Sequence, residues 1–446
     1  MNDPLHPQVP APAVGKNDAI ALLERFTMLH PRAWDLGLER LNRLLAEMGD
    51  PHRRLPPTIH VAGTNGKGST IAFARAFLEA QGKSVHAYTS PHLVRFNERI
   101  RIAGKLVDDE ALADALVRCE RVNGGQAITF FEATTAVAMM LFSETPADAC
   151  LLEVGLGGRL DATNVIEAPH ISAITPISMD HMGFLGDTIE KIAAEKAGIL
   201  KRDVPCVVAP QDPRALHVLR AVAERVGAPL IEHGQDFMAY EEHGRLVYQD
   251  GFGLMDLPLP KLTGRHQIIN AGTAIACLRH CDLNGSDENY ARGVTAAFWP
   301  GRLQKLTGAL AQRAPSCDVW LDGGHNAGGG QALAEAMADL EDRVQRPLYL
   351  VTGMMRTKEA TDFFRPFEGL ARQVIAVPIP DHVKALDTVA VAASASETGT
   401  FASVASSVEQ ALAEIEESAQ EPARILICGS LYLAGHALQA DGFKPV

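Results

Sequence analysis

A lysine and two hydroxyl side chains stand in or beside a glycine-rich segment, Gly63-Thr-Asn-Gly-Lys-Gly-Ser69, which Thr70 follows. Between a strand and a helix, the backbone N–H groups of such a loop and the helix dipole can hold phosphate oxygens. Lys67 would then meet the outer phosphates of a nucleotide, and the hydroxyl of Ser69 or Thr70 would reach a magnesium ion. The segment therefore predicts a nucleotide site.

The loop departs from the general Walker pattern. Val61 stands where that pattern has its first glycine, and Gly68 separates Lys67 from Ser69. An ordinary glycine-rich turn is the alternative, but such a turn needs neither the lysine nor the hydroxyls. Glycine permits close backbone approach to a ligand, and the loop has it at Gly63, Gly66 and Gly68.

A carboxylate, Glu153, ends a second apolar run just before a glycine-rich turn. Open α/β sheets bind ligands at the carboxyl edge of their strands, where this side chain would lie. Magnesium prefers oxygen ligands and keeps several waters, so Glu153 is a candidate metal ligand. A buried carboxylate that caps a helix is the alternative.

The elements that must position these residues alternate along the chain. The phosphate loop lies between a predicted strand at 58–61 and a predicted helix at 68–80, and a strand at 85–88 completes one β-loop-α-β unit. Apolar spacing also predicts a helix at 34–48. Further predicted elements are an amphipathic segment at 108–122, strands at 149–154, 171–174 and 205–208, and a helix at 188–200. This alternation predicts a mostly parallel sheet with helices on both faces.

The alternation is interrupted around Trp299-Pro-Gly-Arg-Leu303, and a second α/β series follows. We therefore predict two domains, an N-terminal P-loop domain at residues 1–298 and a smaller, Rossmann-like C-terminal domain at residues 299–446. Strands are expected near 319–321, 348–351, 374–377 and 425–427, and helices near 331–340 and 408–415. The small-residue stretch 390–407 is predicted to be an exposed loop with a weak helix.

Composition excludes several classes of function. The net charge of −13 opposes a nonspecific grip on nucleic acid, because such binding needs clustered Lys and Arg. No apolar run has the roughly 18 residues of a membrane span, and residues 1–14 lack the order of a signal peptide. The seven scattered cysteines show no metal or redox spacing. We expect a cytoplasmic protein with reduced cysteines and with neither nucleic acid nor a membrane as a partner.

The phosphate loop, with its extra glycine, resembles that of the folylpolyglutamate synthase and dihydrofolate synthase family, relatives of the Mur ligases of cell-wall synthesis. Further motifs agree with that family in order along nearly the whole chain: Thr89-Ser-Pro-His-Leu-Val-Arg-Phe-Asn-Glu-Arg-Ile100, Leu152-Glu-Val-Gly-Leu-Gly-Gly-Arg-Leu-Asp-Ala-Thr-Asn164, Asp180-His181, Glu195-Lys-Ala-Gly-Ile199, Trp299-Pro-Gly-Arg302 and Gly429-Ser-Leu-Tyr-Leu433. The resemblance implies an ATP-dependent amide ligase. It would join L-glutamate to dihydropteroate or a reduced folate through an acyl phosphate and release ADP and phosphate.

The resemblance also implies two magnesium sites. Ser69, Ser90, Glu153 and His181 would surround the ions, and Lys196 matches a family lysine that carbon dioxide carbamylates. Desolvation and nearby cations would lower the pKa of such an amine. The alternatives are a packed or surface histidine at position 181 and an unmodified lysine in a salt bridge at position 196. Potassium is a further candidate cofactor.

Residues 155–164 resemble the pterin-contacting loop of the family. Asp161 could pair with the donor edge of a pterin ring, and Arg159 and Ala162 belong to the same loop. Phe130 and Phe131 are candidates for stacking on the ring, although two adjacent aromatics beside a helix are more often core residues.

Asn270 and Arg302 match positions that the family uses for adenine and phosphates, together with Thr64 and Asn65 of the loop. Domain closure could bring the Arg302 guanidinium onto the γ-phosphate, and a hinge salt bridge is the alternative.

A nucleotide contact from the second domain is expected from Asp322-Gly-Gly-His-Asn-Ala327, which resembles the family's Asp-Gly-Ala-His-Asn-Pro. Asp322 and His325 keep their places, whereas Gly324 and Ala327 depart from that motif and should make the loop more flexible.

Three alternatives stay open at this point. The enzyme could make dihydrofolate, lengthen polyglutamate tails or do both, and we favour both. A Mur-type cell-wall ligase would normally carry a further N-terminal domain before the phosphate loop. A noncatalytic nucleotide-binding protein would not need the metal and lysine positions. The resemblance suggests a monomer.

Overall fold

The computed structural model describes residues 19–29, 36–356, 360–380 and 382–445. The expectation for residues 1–14 and the first two residues of the helix predicted at 34–48 lie outside these described residues.

The strands of the described residues are β1 Thr58–Ala62, β2 Val85–Tyr88, β3 Ile100–Ile102, β4 Lys105–Leu106, β5 Ala149–Glu153, β6 Ile171–Ile174, β7 Cys206–Val208, β8 Leu230–Glu232, β9 Phe237–Glu242, β10 Arg245–Asp250, β11 Gly253–Pro258, β12 Gln304–Lys305, β13 Asp318–Leu321, β14 Leu348–Thr352, β15 Ala371–Ala376, β16 Ala402–Val404 and β17 Arg424–Cys428. The α-helices are α1 Ala19–Met28, α2 Glu39–Glu47, α3 Lys67–Ala80, α4 Asp109–Asn123, α5 Phe130–Glu144, α6 Met182–Leu185, α7 Ile189–Lys196, α8 Pro213–Val226, α9 Arg265–Arg279, α10 Asp287–Ala296, α11 Ala327–Arg343, α12 Ala360–Phe364, α13 Thr388–Ser396, α14 Val408–Ser418 and α15 Leu431–Ala440.

The first sheet has the strand order β4-β3-β2-β5-β1-β6-β7-β8. The strands from β2 to β8 in this order run parallel, and only the β3 and β4 edge is antiparallel. β1 and β5 are buried along their whole length, as expected of apolar strands covered on both faces. The strand β1, which leads into the phosphate loop, therefore lies inside the sheet with a partner on each side.

Helices cover both faces of this sheet. On one face, residues of α3, α9 and α10 share a buried apolar cluster with β9–β11. On the other face, α1, α2, α4 and α5 pack over β2 and β5, and α7 and α8 pack with residues of β6 and β7. The predicted parallel sheet with helices on both faces is confirmed.

A three-stranded antiparallel sheet, β11-β10-β9, packs on α9 and was not foreseen from the sequence. Each pair is joined by a tight turn. His243 and Gly244 in the first turn and Gly253 at the start of β11 have positive φ. Alternating burial along β9 and β11 shows a sheet with one covered face. The short glycine-containing segments between these strands are a local hairpin signal in the sequence.

The second α/β unit contains a sheet with the order β12-β13-β17-β14-β15-β16. Its strands are parallel except for β12. The weak helix predicted within 390–407 is present, because this stretch contributes most of α13. The exposed loop predicted there is wrong at 402–404, which form the edge strand β16. β16 has only three residues and pairs with β15 alone, so pairing with a neighbour rather than its own composition makes it a strand.

None of the described helices combines the length and the apolar composition that a bilayer crossing requires.

Candidate active site

The phosphate loop follows β1 and leads into α3. Its backbone has positive φ at Gly63 (145°) and Gly66 (91°), a region that glycine enters without steric cost. Neighbouring side chains also leave no room for a Cβ, which at Gly63 would lie 1.8 Å from Thr175 Oγ1 and at Gly66 would lie 2.3 Å from Asn270 Oδ1. The loop is therefore shaped by the residue that follows β6 and by α9.

Two lysine side chains converge on the carbonyl oxygen of Gly63. Lys67 Nζ donates to it at 3.1 Å and to the Thr64 carbonyl at 3.2 Å, and Lys196 Nζ donates to it at 2.9 Å. Burial and then the Lys67 cation lower the pKa of Lys196 to about 7, and burial also lowers the pKa of Lys67. A substantial fraction of the Lys196 amine is therefore neutral near pH 7, and its hydrogen-bond acceptor is a carbonyl rather than the carboxylate of a salt bridge.

Ser69 and Thr70 lie in the first turn of α3. Each is 1% exposed, and neither hydroxyl oxygen has a hydrogen-bond partner in the described structure. Buried polar groups usually find partners, so two unpaired hydroxyls at a helix N-terminus fit a bound phosphate or metal ion. Among the described residues, no three or more His, Cys, Asp or Glu side chains form a metal-binding group. The residues therefore fit a magnesium ion that completes its coordination with phosphate oxygens and water.

Glu153 ends β5 beside the phosphate loop, in register with Val61 of β1. It is 5% exposed, and its Oε2 accepts a hydrogen bond from the Ser90 backbone N–H at 3.2 Å. Burial raises the pKa of Glu153, whereas Lys67, the Ser90 N–H and Arg302 act in the opposite direction. The structure thus brings Ser90, Glu153 and Lys67 together at one sheet edge. The hydrogen bond that Glu153 accepts from Ser90 comes from a loop and not from a helix N-terminus, which opposes the alternative of a helix-capping carboxylate.

His181 begins α6 with a φ of 53°. Its side chain is 37% exposed, and its Nε2 lies 3.9 Å from Asp180 Oδ1. The carboxylate of Asp180 also faces His325, whose Nε2 lies 3.5 Å from Asp180 Oδ2. His181 is therefore not a core histidine. It lies beside an acid that links the first unit to the second.

Asn326 connects the second unit to the phosphate loop. Its Nδ2 donates to Asn65 Oδ1 at 3.1 Å and to Asp180 Oδ2 at 2.9 Å, and Asn65 Nδ2 donates back to Asn326 Oδ1 at 3.1 Å. Asn326 Oδ1 also accepts from Gly329 N and so caps α11. The sequence analysis did not single out Asn326, although an Asn a few residues before a predicted helix is a capping signal.

Asp322 holds the loop before α11 in place. Its Oδ2 accepts from the Leu303 N–H at 2.7 Å and its Oδ1 accepts from the Gly324 N–H at 2.6 Å, while His325 Nδ1 lies 2.8 Å from a carbonyl oxygen in the same loop. Ala327 is the first residue of α11. The greater flexibility expected from Gly324 and Ala327 stays a prediction, and these hydrogen bonds oppose it.

Arg302 lies between the two units. Its Nη1 is 3.1 Å from the position of a Cβ at Gly323, and its charge acts on Lys67 and Glu153. Within the described part of the chain Arg302 forms no ion pair, which opposes the hinge salt bridge and leaves the guanidinium available for an anion.

Asn270 is buried in α9 and donates through Nδ2 to Gln267 Oε1 at 3.0 Å. One turn earlier, α9 lines a cavity of about 710 Å³ between β9 and α11. Its wall includes Tyr240, His266 and Asp339. This cavity lies between β9 of the first unit and α11 of the second, and its size suits a nucleoside.

Asp161 accepts four hydrogen bonds inside its own loop. The donors are the backbone N–H groups of Gly155 (3.0 Å), Leu156 (2.9 Å) and Thr163 (2.9 Å), and the Thr163 hydroxyl (2.6 Å). Thr163 Oγ1 also lies 2.8 Å from His60 Nε2 on β1. Because the Thr163 proton goes to Asp161, His60 donates to Thr163. Asp161 therefore shapes this loop and ties it to β1, and its pairing with a pterin stays a prediction.

Phe130 and Phe131 begin α5, and both are partly exposed. A Cβ at Gly155 would lie 2.5 Å from Phe131 Cζ, so this ring covers the loop that Asp161 shapes. The Phe130 ring lies 5.9 Å from the Phe96 ring and 5.8 Å from the Arg99 guanidinium. Both rings also pack against the buried apolar cluster that covers β2 and β5. They therefore contribute to the core and are also partly exposed.

Arg159 and Ala162 differ in exposure. The Arg159 side chain is 57% exposed and pairs with Glu195 at 2.8 Å, whereas Ala162 is 3% exposed at the start of a 3-10 turn. Arg159 can therefore reach a ligand, and Ala162 has little surface for one.

Residues 61–278 match the Mur ligase middle domain, and residues 301–431 match the glutamate ligase domain of Mur ligases. The dihydrofolate synthase/folylpolyglutamate synthase of Bacillus subtilis is 39% identical over 68% of this chain and 72% of its own length. The Escherichia coli protein of the same name is 31% identical over 92% of each chain. The chain belongs to the dihydrofolate synthase/folylpolyglutamate synthase family.

Solved structures of this family have the same fold. The E. coli FolC structure in complex with DHPP and ADP has a TM-score of 0.86 at 30% identity and covers 95% of this chain and 97% of its own. The Mycobacterium tuberculosis folylpolyglutamate synthase complexed with ADP has a TM-score of 0.84 at 30% identity, with 96% of this chain and 100% of that chain covered. The family, the two-unit α/β fold and the ligase class expected from the sequence are confirmed.

Sequence reasoning missed several residues that the structure places in the site. Trp299 was given no role beyond the domain boundary and a family motif, yet a Cβ at Gly68 would lie 2.9 Å from its indole. Asp180 and Thr163 appeared only as parts of motifs, and His60 was not considered. His60 interrupts an apolar strand, and such a polar residue is the signal that could have identified it.

Proposed function

We propose that this chain is an ATP-dependent amide ligase that adds L-glutamate to dihydropteroate, forming dihydrofolate, and to reduced folates, lengthening their polyglutamate tails. The observation that carries the proposal is the convergence of Lys67 and Lys196 on the Gly63 carbonyl, at the sheet edge where Glu153 ends its strand. The Lys67 cation, a second buried amine that can be modified and a carboxylate at one edge suit the transfer of a phosphoryl group between two anions.

Mg²⁺ at this edge would be held by the hydroxyl of Ser69 or Thr70 and by Glu153, with Ser90 and His181 beside it. The ion supplies charge neutralisation and polarisation of the phosphate oxygens. A second Mg²⁺ and a potassium ion belong to this proposal, and their support is the resemblance alone. A solved structure of a bifunctional folylpolyglutamate synthase/dihydrofolate synthase with Mn, AMPPNP and L-glutamate bound supports the binding of a divalent ion together with a nucleotide.

Lys196 is the residue we propose to be carbamylated. Its neutral amine would add to carbon dioxide, form an N–C bond and lose one proton, which leaves a carbamate with a carboxylate-like charge. A pKa of about 7 makes the neutral amine available at physiological pH. Without the modification, the same side chain would be a buried amine bonded to Gly63.

The nucleotide would lie along the phosphate loop, with the adenosine in the cavity beside Asn270. Lys67 and Arg302 would offset the charge of the γ-phosphate, and Asp322 and His325 would approach from the second unit. In the first step a substrate carboxylate oxygen bonds to the γ-phosphorus and the bond to the ADP oxygen breaks. The amine of glutamate then attacks the acyl carbon, phosphate leaves and the amine loses a proton.

The substrate carboxylate needs a pocket for the rest of the molecule. We propose the surface formed by Phe130, Phe131 and the loop 155–164, because it adjoins Glu153 and combines aromatic rings with open backbone. Asp161 would act by holding this loop, and Arg159 lies on its exposed side.

We further propose that the domains divide between residues 298 and 299 and that the chain is a monomer in the cytoplasm, with no nucleic-acid or membrane partner. The support for the boundary is that β12 begins the second sheet at Gln304.

The test is phosphate release from Mg-ATP and glutamate with purified protein, supplied separately with dihydropteroate and with reduced folate monoglutamate. We expect turnover of both acceptors. Turnover of the folate alone would restrict the enzyme to polyglutamylation. Turnover of neither would overturn the proposal.

A further inference from the structure

Arg99 occupies an unusual place next to this site. It ends the 3-10 turn Phe96–Arg99, directly before β3. Its guanidinium lies 5.4 Å from the Phe96 ring and 5.8 Å from the Phe130 ring, close enough for cation–π attraction to both. Two aromatic rings therefore hold the guanidinium in position.

Among the described residues, no carboxylate forms an ion pair with this cation. Within the described part of the chain Arg99 forms no ion pair, and its hydrogen bond is donated by Nε to His92 Nδ1 at 2.9 Å. Burial lowers the pKa of Arg99, and Arg side chains in such surroundings are normally paired with a carboxylate. The charge is thus partly desolvated without a partner.

The nearby carboxylates, Glu98 and Glu153, accept hydrogen bonds from backbone N–H groups. Glu98 accepts hydrogen bonds from the backbone N–H groups of Leu93, Val94 and Arg95 at 2.9, 2.8 and 2.5 Å. Glu153, whose charge also acts on Arg99, accepts from Ser90. Neither forms an ion pair with the guanidinium.

His92 fixes the orientation of Arg99 without neutralising it. His92 Nδ1 accepts the Arg99 Nε hydrogen at 2.9 Å, so this nitrogen carries no proton and the imidazole is neutral. Because its Nδ1 accepts from Nε, the two Nη groups of Arg99 are left for another acceptor. A guanidinium held in this way presents a fork that matches a carboxylate.

The position of the Arg99 guanidinium indicates which ligand it can bind. Arg99 lies beside Phe130 of the proposed pterin surface. It interacts electrostatically with Glu153 of the first unit and with Tyr432 of the second. The two units pack tightly here, since a Cβ at Gly435 would lie 2.0 Å from the Leu93 carbonyl. An anion bound by Arg99 would therefore lie within the cleft, next to the reacting groups.

We propose that Arg99 binds a carboxylate of glutamate that does not react, either on the incoming amino acid or on the glutamate that a reduced folate already carries. This inference rests on the proposed function and adds a binding site to it. The reacting carboxylate belongs to the acceptor and must meet the phosphate beside Lys67. The glutamate of a reduced folate brings one further carboxylate and the incoming glutamate brings two, and these charges need cations elsewhere. Arg99 is the unpaired cation in this position.

The experiment measures KM for each substrate in the wild type, Arg99→Gln and Arg99→Lys, with phosphate release as the readout. Dihydropteroate carries no glutamate. With this acceptor, only the incoming amino acid can supply a non-reacting carboxylate of glutamate. Arg95→Gln is the matched control, because Arg95 lies in the same segment, is 52% exposed and pairs with Asp109. Thermal melting checks that each variant is folded.

For Arg99→Gln we expect KM to rise roughly tenfold to hundredfold for one substrate, with KM for ATP within twofold of the wild type. A rise in KM for glutamate with both acceptors assigns the site to the incoming amino acid. A rise in KM for the reduced folate, with dihydropteroate unaffected, assigns it to the glutamate already attached. Arg99→Lys should show a smaller rise in the same constant, because it keeps the charge and loses the fork.

Unchanged KM values for glutamate and for reduced folate in a folded Arg99→Gln protein would overturn this inference. If Arg99→Gln does not fold, Arg99→Lys decides, and wild-type constants in that variant would likewise overturn it. A wild type without turnover would instead overturn the proposed function, so the two failures are distinguishable.

Discussion

The Lys196 amine shows how one residue can reduce stability for the sake of chemistry. Its pKa falls from 10.5 to about 7, so the unfolded chain binds more protons than the folded chain between these pH values. The contribution of this group to stability therefore rises with pH from about 7 to 10.5 and is lowest below pH 7.

We predict that Lys196→Met raises the free energy of unfolding by about 2 kcal/mol at pH 7 and abolishes phosphate release. Urea unfolding in carbonate-free, metal-free buffer measures the first effect. Lys191→Met is the control in the same helix, since Lys191 is 62% exposed and pairs with Asp187, and it should change stability by less than about 0.5 kcal/mol. A Lys196→Met protein that unfolds more easily than the control would contradict the prediction.

Ser69 and Thr70 give a second prediction at this scale. Their hydroxyls have no partner in the described structure, so Ser69→Ala and Thr70→Val should leave the melting temperature unchanged or slightly raised. If a hydroxyl binds magnesium, one variant should lose about tenfold or more in kcat/KM and need more Mg²⁺. Titration of activity against Mg²⁺ measures this, and wild-type titrations for both variants would show that neither hydroxyl is a ligand.

At the scale of elements, one chain of hydrogen bonds joins β1 to the loop that follows β5. His60 donates to Thr163, and Thr163 donates to Asp161, which accepts from the amides of Gly155 and Leu156. The phosphate loop and the proposed pterin loop therefore share one buried support.

Thr163→Val should break this support, because it leaves Asp161 and His60 short of a buried partner. We expect a loss of about 1 to 3 kcal/mol in stability and a several-fold rise in KM for dihydropteroate, with a smaller effect on KM for ATP. Thr163→Ser keeps the hydroxyl and should stay near the wild type in both measurements. Equal behaviour of the Val and Ser variants would show that the hydroxyl does not hold the loop.

At the scale of the whole molecule, Asn326 has two tasks that substitution can separate. It caps α11 and it joins the second unit to Asn65 and Asp180. Asn326→Ser keeps a capping residue, whereas Asn326→Ala loses about 1 kcal/mol of capping free energy.

We predict that only Asn326→Ala lowers the melting temperature, while both variants raise KM for ATP about tenfold because the contact between the units is lost. Melting curves and initial rates measure the two effects on the same samples. An Asn326→Ser protein with a wild-type KM for ATP would show that this contact does not contribute to nucleotide binding.

The sequence by itself determined the features that depend on neighbouring residues. The phosphate loop, the β1–α3–β2 unit and the parallel sheets follow from glycine positions and apolar spacing over a few residues. The order of the motifs was sufficient for the family and the reaction class. The three-stranded sheet was missed although its hairpin turns are a local signal. The strand β16 was missed because it depends on pairing with β15.

Only the tertiary structure decided which distant groups meet. Lys196 reaches the Gly63 carbonyl across 133 residues, and Asn326 reaches Asn65 across 261. It also decided that Asp161 accepts its hydrogen bonds from its own loop and that Arg99 forms no ion pair with any described residue. Burial, hydrogen-bond partners and pKa depend on atoms that arrive from other elements, and their positions are set by the packing of two sheets rather than by any local pattern.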